Sequence, residues 1–351
     1  MIEQPAQPLD LQLPDIRTFE PDGVNYHYGA VSLFASHCGI RGSVPPPRGC
    51  WGHAWIPLHV SQDPVLVEQY LTRHEQIRGK EPMWVPEEVN AKIARGLGWE
   101  SEAIGLPMTY LPEVKRDRIP GSLLVMPVHS DVGETFDWDG RDYASYIKDV
   151  RKHFSRVVVC IYGACMDNGY WVNEFREVDC EIVRGSHWKD ANGLKRVQAL
   201  LSSFEYVTTN GFGSHIAYAA YFGAKMSIYG TFININLESV KHHPLYTPEN
   251  RFMEMWLEGQ SQERLWKEYP FLFCHPAEAQ LNVDWGRAQL GHHCKKSGPE
   301  LRELFAWDDA ALRRWRTLGE PKAVLSKKIR RAVPEWAKAR YRQVRHSRGS
   351  A

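Results

Sequence analysis

Apolar residues in the second half of the chain gather into short continuous runs, separated by stretches where they recur every three or four positions. Residues 122–130 (SLLVMPVHS), 156–162 and 180–184 read as strands, and 143–153, 170–177 and 192–204 as helices. Continuous rather than alternating apolar strands belong to a sheet covered on both faces, so parallel pairing with helical crossovers is expected. The pattern is sharpest over 205–230. Tyr206 to Thr209 is a β-branched and aromatic run, Asn210, Gly211, Phe212 and Gly213 form a turn, and Ser214 is placed to cap a helix over 215–221 that Gly223 stops. Met226 to Tyr229 then begins another strand. Such a βαβ turn directs backbone N–H groups and the positive end of a helix at one spot, which suits an anion.

The first half alternates short apolar runs with turns. Residues up to about Pro21 read as a loose leader. Val24 to Tyr28, followed by Gly29, reads as a first strand and turn, although 30–38 equally continues as a helix. Pro86, Glu87 and Glu88 open a helix that closes near Gly96 or Gly98, and 102–107 reads as a last strand. A charged link at 113–118 precedes Pro120 and Gly121. The expected fold class is α/β, with two Rossmann-like domains facing a cleft, at 22–118 and 119–320, and a basic helical tail at 321–351.

Composition sharpens the expectation for the tail. The 351 residues carry a net charge of +1, yet 322–351 holds ten lysines and arginines against Glu335 alone, leaving the remainder near −8. Leu325, Ile329, Val333, Ala337, Tyr341 and Val344 form an apolar stripe that Pro334 divides into two helices. This basic amphipathic pattern suits an anionic membrane surface, with a helix packed back on the body and contact with nucleic acid as the other readings. The acidic body argues against non-specific nucleic-acid binding by the main domains, while the tail could meet any polyanion, and no nucleic-acid partner is expected. No run approaches the ~18 apolar residues of a spanning helix, and the proline-rich, acidic start is unlike a signal peptide. A cytoplasmic protein, peripheral at the inner face of the membrane, is expected, with its seven cysteines reduced.

The stretch 208–230, preceded by SLLVMPVHS, resembles the donor-binding half of bacterial GT-B glycosyltransferases of surface-polysaccharide biosynthesis. The likeness covers roughly 121–231. It implies a nucleotide-sugar co-substrate, a glycan or lipid-linked glycan acceptor, and no cofactor or required metal. Gly213, Ser214 and His215 map to the phosphate-binding turn, with Asn210 beside them. His129 and Ser130, at the end of the preceding strand, would share its rim. In the first half, His53 between Trp51 and Trp55 suits a sugar-stacking acceptor cleft, with His53 as general base and His27 and His37 as weaker candidates. Arg184 and Lys189 offer positive charge near a strand end. His275, Pro276 and Glu278 offer a further strand-end contact. Asp137 and Asp139 read as a solvated turn rather than a metal motif, and His292, His293 and Cys294, like Cys160 and Cys165, lack zinc spacing with a second pair. A polyol-phosphate transferase or nucleotide-sugar epimerase of the same fold, and a non-catalytic envelope scaffold, are the rival readings.

Overall fold

A computed structural model describes residues 11–114, 116–129, 140–241 and 252–319. Ser130, the Asp137–Asp139 turn and the basic tail lie outside the described residues. The described residues of Met1–Phe34 and Gly49–Lys296 form one compact unit, and those of Ala35–Arg48 and Ser297–Ala351 a second. The protein is α/β, with two parallel sheets, both in the first unit. No helix among the described residues is long and apolar enough to cross a membrane.

The first sheet has three short strands in the order β1-β2-β3: β1 (Cys50–Trp51), β2 (Met83–Val85) and β3 (Ser101–Ala103). Helix α1 (Ala30–His37) precedes it, and α2 (Leu58–Ser61), α3 (Pro64–Arg78) and α4 (Glu88–Gly96) connect its strands. Asp63 starts α3 by accepting hydrogen bonds from the N–H groups of Val65 and Leu66, at 2.9 and 3.2 Å, with Pro64 pre-set in the first turn.

The second sheet is the larger. Its five parallel strands are β4 (Ile119–Val125), β5 (Arg156–Ile161), β6 (Glu181–Arg184), β7 (Phe204–Gly211) and β8 (Lys225–Ile233), in the order β6-β5-β4-β7-β8. Helices α5 (Gly140–Val150), α6 (Gly163–Asp167) and α7 (Val172–Glu177) lie between β4 and β6 in the chain, α8 (Gly193–Ser203) between β6 and β7, and α9 (His215–Tyr221) between β7 and β8. Tyr143, Ile147, Trp171 and Phe175 pack on the face bearing Leu123, Val125, Val157, Val159 and Ile161. The alternate residues Leu124, Val158, Val183 and Val207 are equally buried, with α8 against β4 and β7. Burial of both faces is what the continuous apolar runs require.

The chain therefore starts the sheet in the middle at β4, runs outward to β6, and returns across β4 to begin again at β7. Connections leave β4 and β7 in opposite directions, which opens a crevice at their carboxyl ends. Helices α10 (Phe252–Gly259), α11 (Gln262–Glu268) and α12 (Val283–Gln289) follow, α12 lying along α9. In the second unit, α13 (Gly298–Leu304) and α14 (Asp309–Arg314) accompany 35–48, tied by Trp307 Nε1 donating to the Pro45 carbonyl at 3.0 Å.

Three sequence expectations are corrected. Val24–Gly29 is a 3-10 turn, not a strand, because Tyr28 is left-handed at φ +57 and gives its N–H to the Trp188 carbonyl at 2.9 Å. The described part of the leader is not loose. Phe19 donates to Lys189, Ala191 donates to Arg17, and the fully buried Arg196 reaches the Pro14 carbonyl. Finally, strand pairing over 102–107 ends at Ala103, since Gly105 is left-handed at φ +71 and Pro107 begins a 3-10 turn.

Candidate functional site

The carboxyl ends of β4 and β7 meet through Val128. Its N–H donates to Asn210 Oδ1 at 3.1 Å, and its carbonyl accepts from Trp171 Nε1 at 2.9 Å. Gly211 makes that approach feasible, because a Cβ there would stand 2.9 Å from Val128 Cβ. With both of its peptide groups engaged, Val128 fixes where the next residue, His129, begins. Asn210 is wholly buried, and its Nδ2 has no hydrogen-bond partner among the described residues. The same holds for His129 Nδ1 and His215 Nε2. Three orphaned polar atoms thus gather at the switch point of the sheet. Each such group costs about 1–3 kcal/mol when left unpaired in the interior.

The turn after β7 differs in detail from the sequence expectation. Ser214 does not cap α9 through its side chain: it is already helical at φ −60, ψ −23, and its hydroxyl accepts the Trp55 N–H at 2.9 Å. Gly213 is needed by the imidazole behind it, since a Cβ would lie 2.5 Å from His215 Cε1 and 2.6 Å from Nδ1. His215 is 7% exposed, and burial, with a smaller contribution from nearby His129, lowers its pKa to about 3. It is neutral at pH 7 and offers a hydrogen bond rather than a charge.

An outer ring of part-exposed aromatic side chains stands over these groups. His129 lies 4.4 Å from the Tyr162 ring, Tyr162 stacks on His187 at 5.8 Å, and His187 stacks on Trp188 at 5.7 Å. From Trp188 the ring continues to His27 at 4.9 Å and from there to His53 at 5.2 Å. Tyr28 closes it, 5.2 Å from His53 and with its hydroxyl 3.3 Å from that of Tyr162. His187 Nδ1 accepts the Lys189 N–H at 2.9 Å, which places the neutral proton on Nε2; burial lowers its pKa, opposed by Asp167 and helped by Arg184 and Lys189. The His53 carbonyl accepts the Tyr218 hydroxyl, so the loop after β1 is fastened to α9. His53, His129, Asn210, Gly213, Ser214 and His215, far apart in sequence, belong to one neighbourhood. Tyr162, His187 and Trp188 join them unannounced, although Tyr162 directly follows β5 and His187 comes soon after β6.

Other expected residues have other positions. Trp51 and Trp55 are 2% and 1% exposed; Trp55 Nε1 donates to Gln289 Oε1 at 3.0 Å, and Trp51 packs on Phe34. Both are core residues, with no face turned to solvent for a sugar. Arg184 is spent on Asp167 through two hydrogen bonds of 2.7 and 2.6 Å, and Lys189 pairs with Glu20. His275 stands against His153, just ahead of β5, away from the carboxyl ends. His37 is exposed in the second unit. Comparison with known proteins finds no matching family, no matching curated protein and no matching solved structure.

Proposed function

We propose that this protein is a GT-B-type glycosyltransferase of surface-polysaccharide assembly, moving a sugar from a nucleotide-sugar donor to a glycan or lipid-linked glycan acceptor. The observation that carries this reading is that His129 Nδ1, Asn210 Nδ2 and His215 Nε2, at the crevice between β4 and β7, have no hydrogen-bond partner among the described residues. The Asn210 amide and the neutral His215 imidazole, held with His129 without reorganisation, suit the oxygens of a phosphate or a sugar. In this reading the five-stranded sheet is the donor half of two Rossmann-like halves. The aromatic ring of Tyr162, His187 and Trp188 supplies flat surface for base or sugar.

The chemistry is nucleophilic displacement at the anomeric carbon. An acceptor hydroxyl forms the new bond as the bond from that carbon to the phosphate oxygen breaks, and the electron pair leaves with the nucleotide. His129, Asn210 and His215 hold the departing phosphate. His53, part-exposed and within ring contact of His27 and Tyr28, takes the acceptor proton if the reaction inverts configuration. The basic segment 322–351 brings the enzyme to the anionic inner face of the cytoplasmic membrane, where a lipid-linked acceptor would reside.

The test is transfer from a panel of CMP-, UDP-, GDP- and dTDP-sugars to oligosaccharide and polyprenyl-linked acceptors. One donor class should be consumed, and His53→Ala should slow transfer by about 10²-fold or more while leaving donor affinity intact. No transfer from any donor would overturn the reading, and normal turnover in His53→Ala would remove that residue from the chemistry.

A further inference from the structure

Away from the histidine ring, at the other end of α9, a second constellation has formed. Gly291 is left-handed at φ +63, and a Cβ there would stand 2.0 Å from the Pro86 carbonyl oxygen. The Leu106 N–H donates to the Leu290 carbonyl at 2.9 Å, and the Tyr221 hydroxyl lies 2.9 Å from His292 Nδ1. These contacts seat the 3-10 turn His292–Cys294 on the junction between β2 and α4. Glu87 occupies the N-cap of α4, yet its side chain does not cap the helix. Instead Glu87 Oε2 lies 3.2 Å from His293 Nε2 and 3.9 Å from Cys294 Sγ. Glu87 is 9% exposed, and its Oε1 has no partner among the described residues.

From this arrangement we infer that Glu87, His293 and Cys294 bind a single divalent zinc-class cation. The three ligand atoms lie within 4.8 Å of one another. Zinc bonds of roughly 2.0–2.3 Å in a tetrahedron put neighbouring ligand atoms about 3.3–3.7 Å apart, so small side-chain rotations suffice. Carboxylate oxygen, imidazole nitrogen and thiolate sulfur are the donor set that zinc takes, with the fourth position open beside the exposed His293. Binding replaces the thiol proton of Cys294, which passes to solvent as the sulfur–metal bond forms. A cation here ties together residues 207 positions apart in the chain. It would tie the first sheet to the α9–α12 pair, separate from the transfer chemistry.

Cobalt(II) serves as the probe, because thiolate ligation gives it a near-ultraviolet charge-transfer band and tetrahedral geometry gives intense visible bands. The metal-stripped full-length protein should take up one Co²⁺ per chain with the thiolate band, and Zn²⁺ should displace it. Cys294→Ser should abolish that band, and His293→Ala should weaken uptake by about tenfold or more, both variants retaining the wild-type circular dichroism. Absence of stoichiometric uptake overturns the site, as does a thiolate band that persists in Cys294→Ser. Should Cys294→Ser fail to fold, Glu87→Gln and His293→Ala carry the test alone, and unchanged cobalt affinity in both overturns it.

Discussion

His215 shows how position overrides a residue's ordinary chemistry. Free histidine titrates near 6.5, but burial, with His129 adding to it, brings this one to about 3. The unfolded chain therefore binds a proton near pH 6.5 that the native state refuses until about pH 3, so stability falls as pH falls through that window. His215→Gln should remove this contribution, at most about 1.4 kcal/mol per pH unit, and urea unfolding between pH 7 and pH 5 should show a shallower decline than in the wild type. Equal slopes would mean that His215 is charged or exposed in the native protein. Gly213 belongs to the same argument. It leaves the volume that the His215 ring fills, so its part in the site is steric.

Helix α9 links the site to the rest of the fold. At its amino end Ser214 accepts the Trp55 N–H, from within it Tyr218 donates to the His53 carbonyl, and at its carboxyl end Tyr221 meets His292. Along its side runs α12, where Gly286 lies so close that a Cβ would be 2.4 Å from the Tyr221 nitrogen. Gly286→Ala should force the helices apart and lower stability by about 1–3 kcal/mol, and an unchanged urea midpoint would show that the pair is not tightly packed. This helix was legible to the residue, because glycines flank it and strands bracket it. The second sheet was legible for a related reason: strands buried on both faces leave unbroken apolar runs. The first sheet was mostly not, since β1, β2 and β3 have two or three residues each, too few to show any period, and only β3 overlaps an expected strand. Val24 to Tyr28 has the composition of a strand, and only a tertiary partner, the Trp188 carbonyl, decides against it. The site was legible where a strand end or a turn marked it, as at His129, Asn210 and His215. Tyr162 and His187 follow β5 and β6 as His129 follows β4, so applying the carboxyl-end rule to every strand would have found them.

At the scale of the whole molecule, the strand order β6-β5-β4-β7-β8 is what brings these residues together. The reversal of the sheet between β4 and β7 sets His129 beside Asn210 and His215, and the fastening of the His53 loop to α9 and of Tyr28 to Trp188 adds groups from the first half of the chain. The proposed function requires a nucleotide-sugar phosphate to dock at this crevice. The most direct measurement is calorimetric titration of CMP-, UDP-, GDP- and dTDP-sugars into the full-length protein, with His129→Ala and Asn210→Ala alongside. One donor class should bind at one site per chain, and each variant should weaken it by about tenfold or more, as expected when a buried group's partner is lost. Binding that is untouched by both substitutions, in variants that remain folded, or no binding of any donor, would contradict the account.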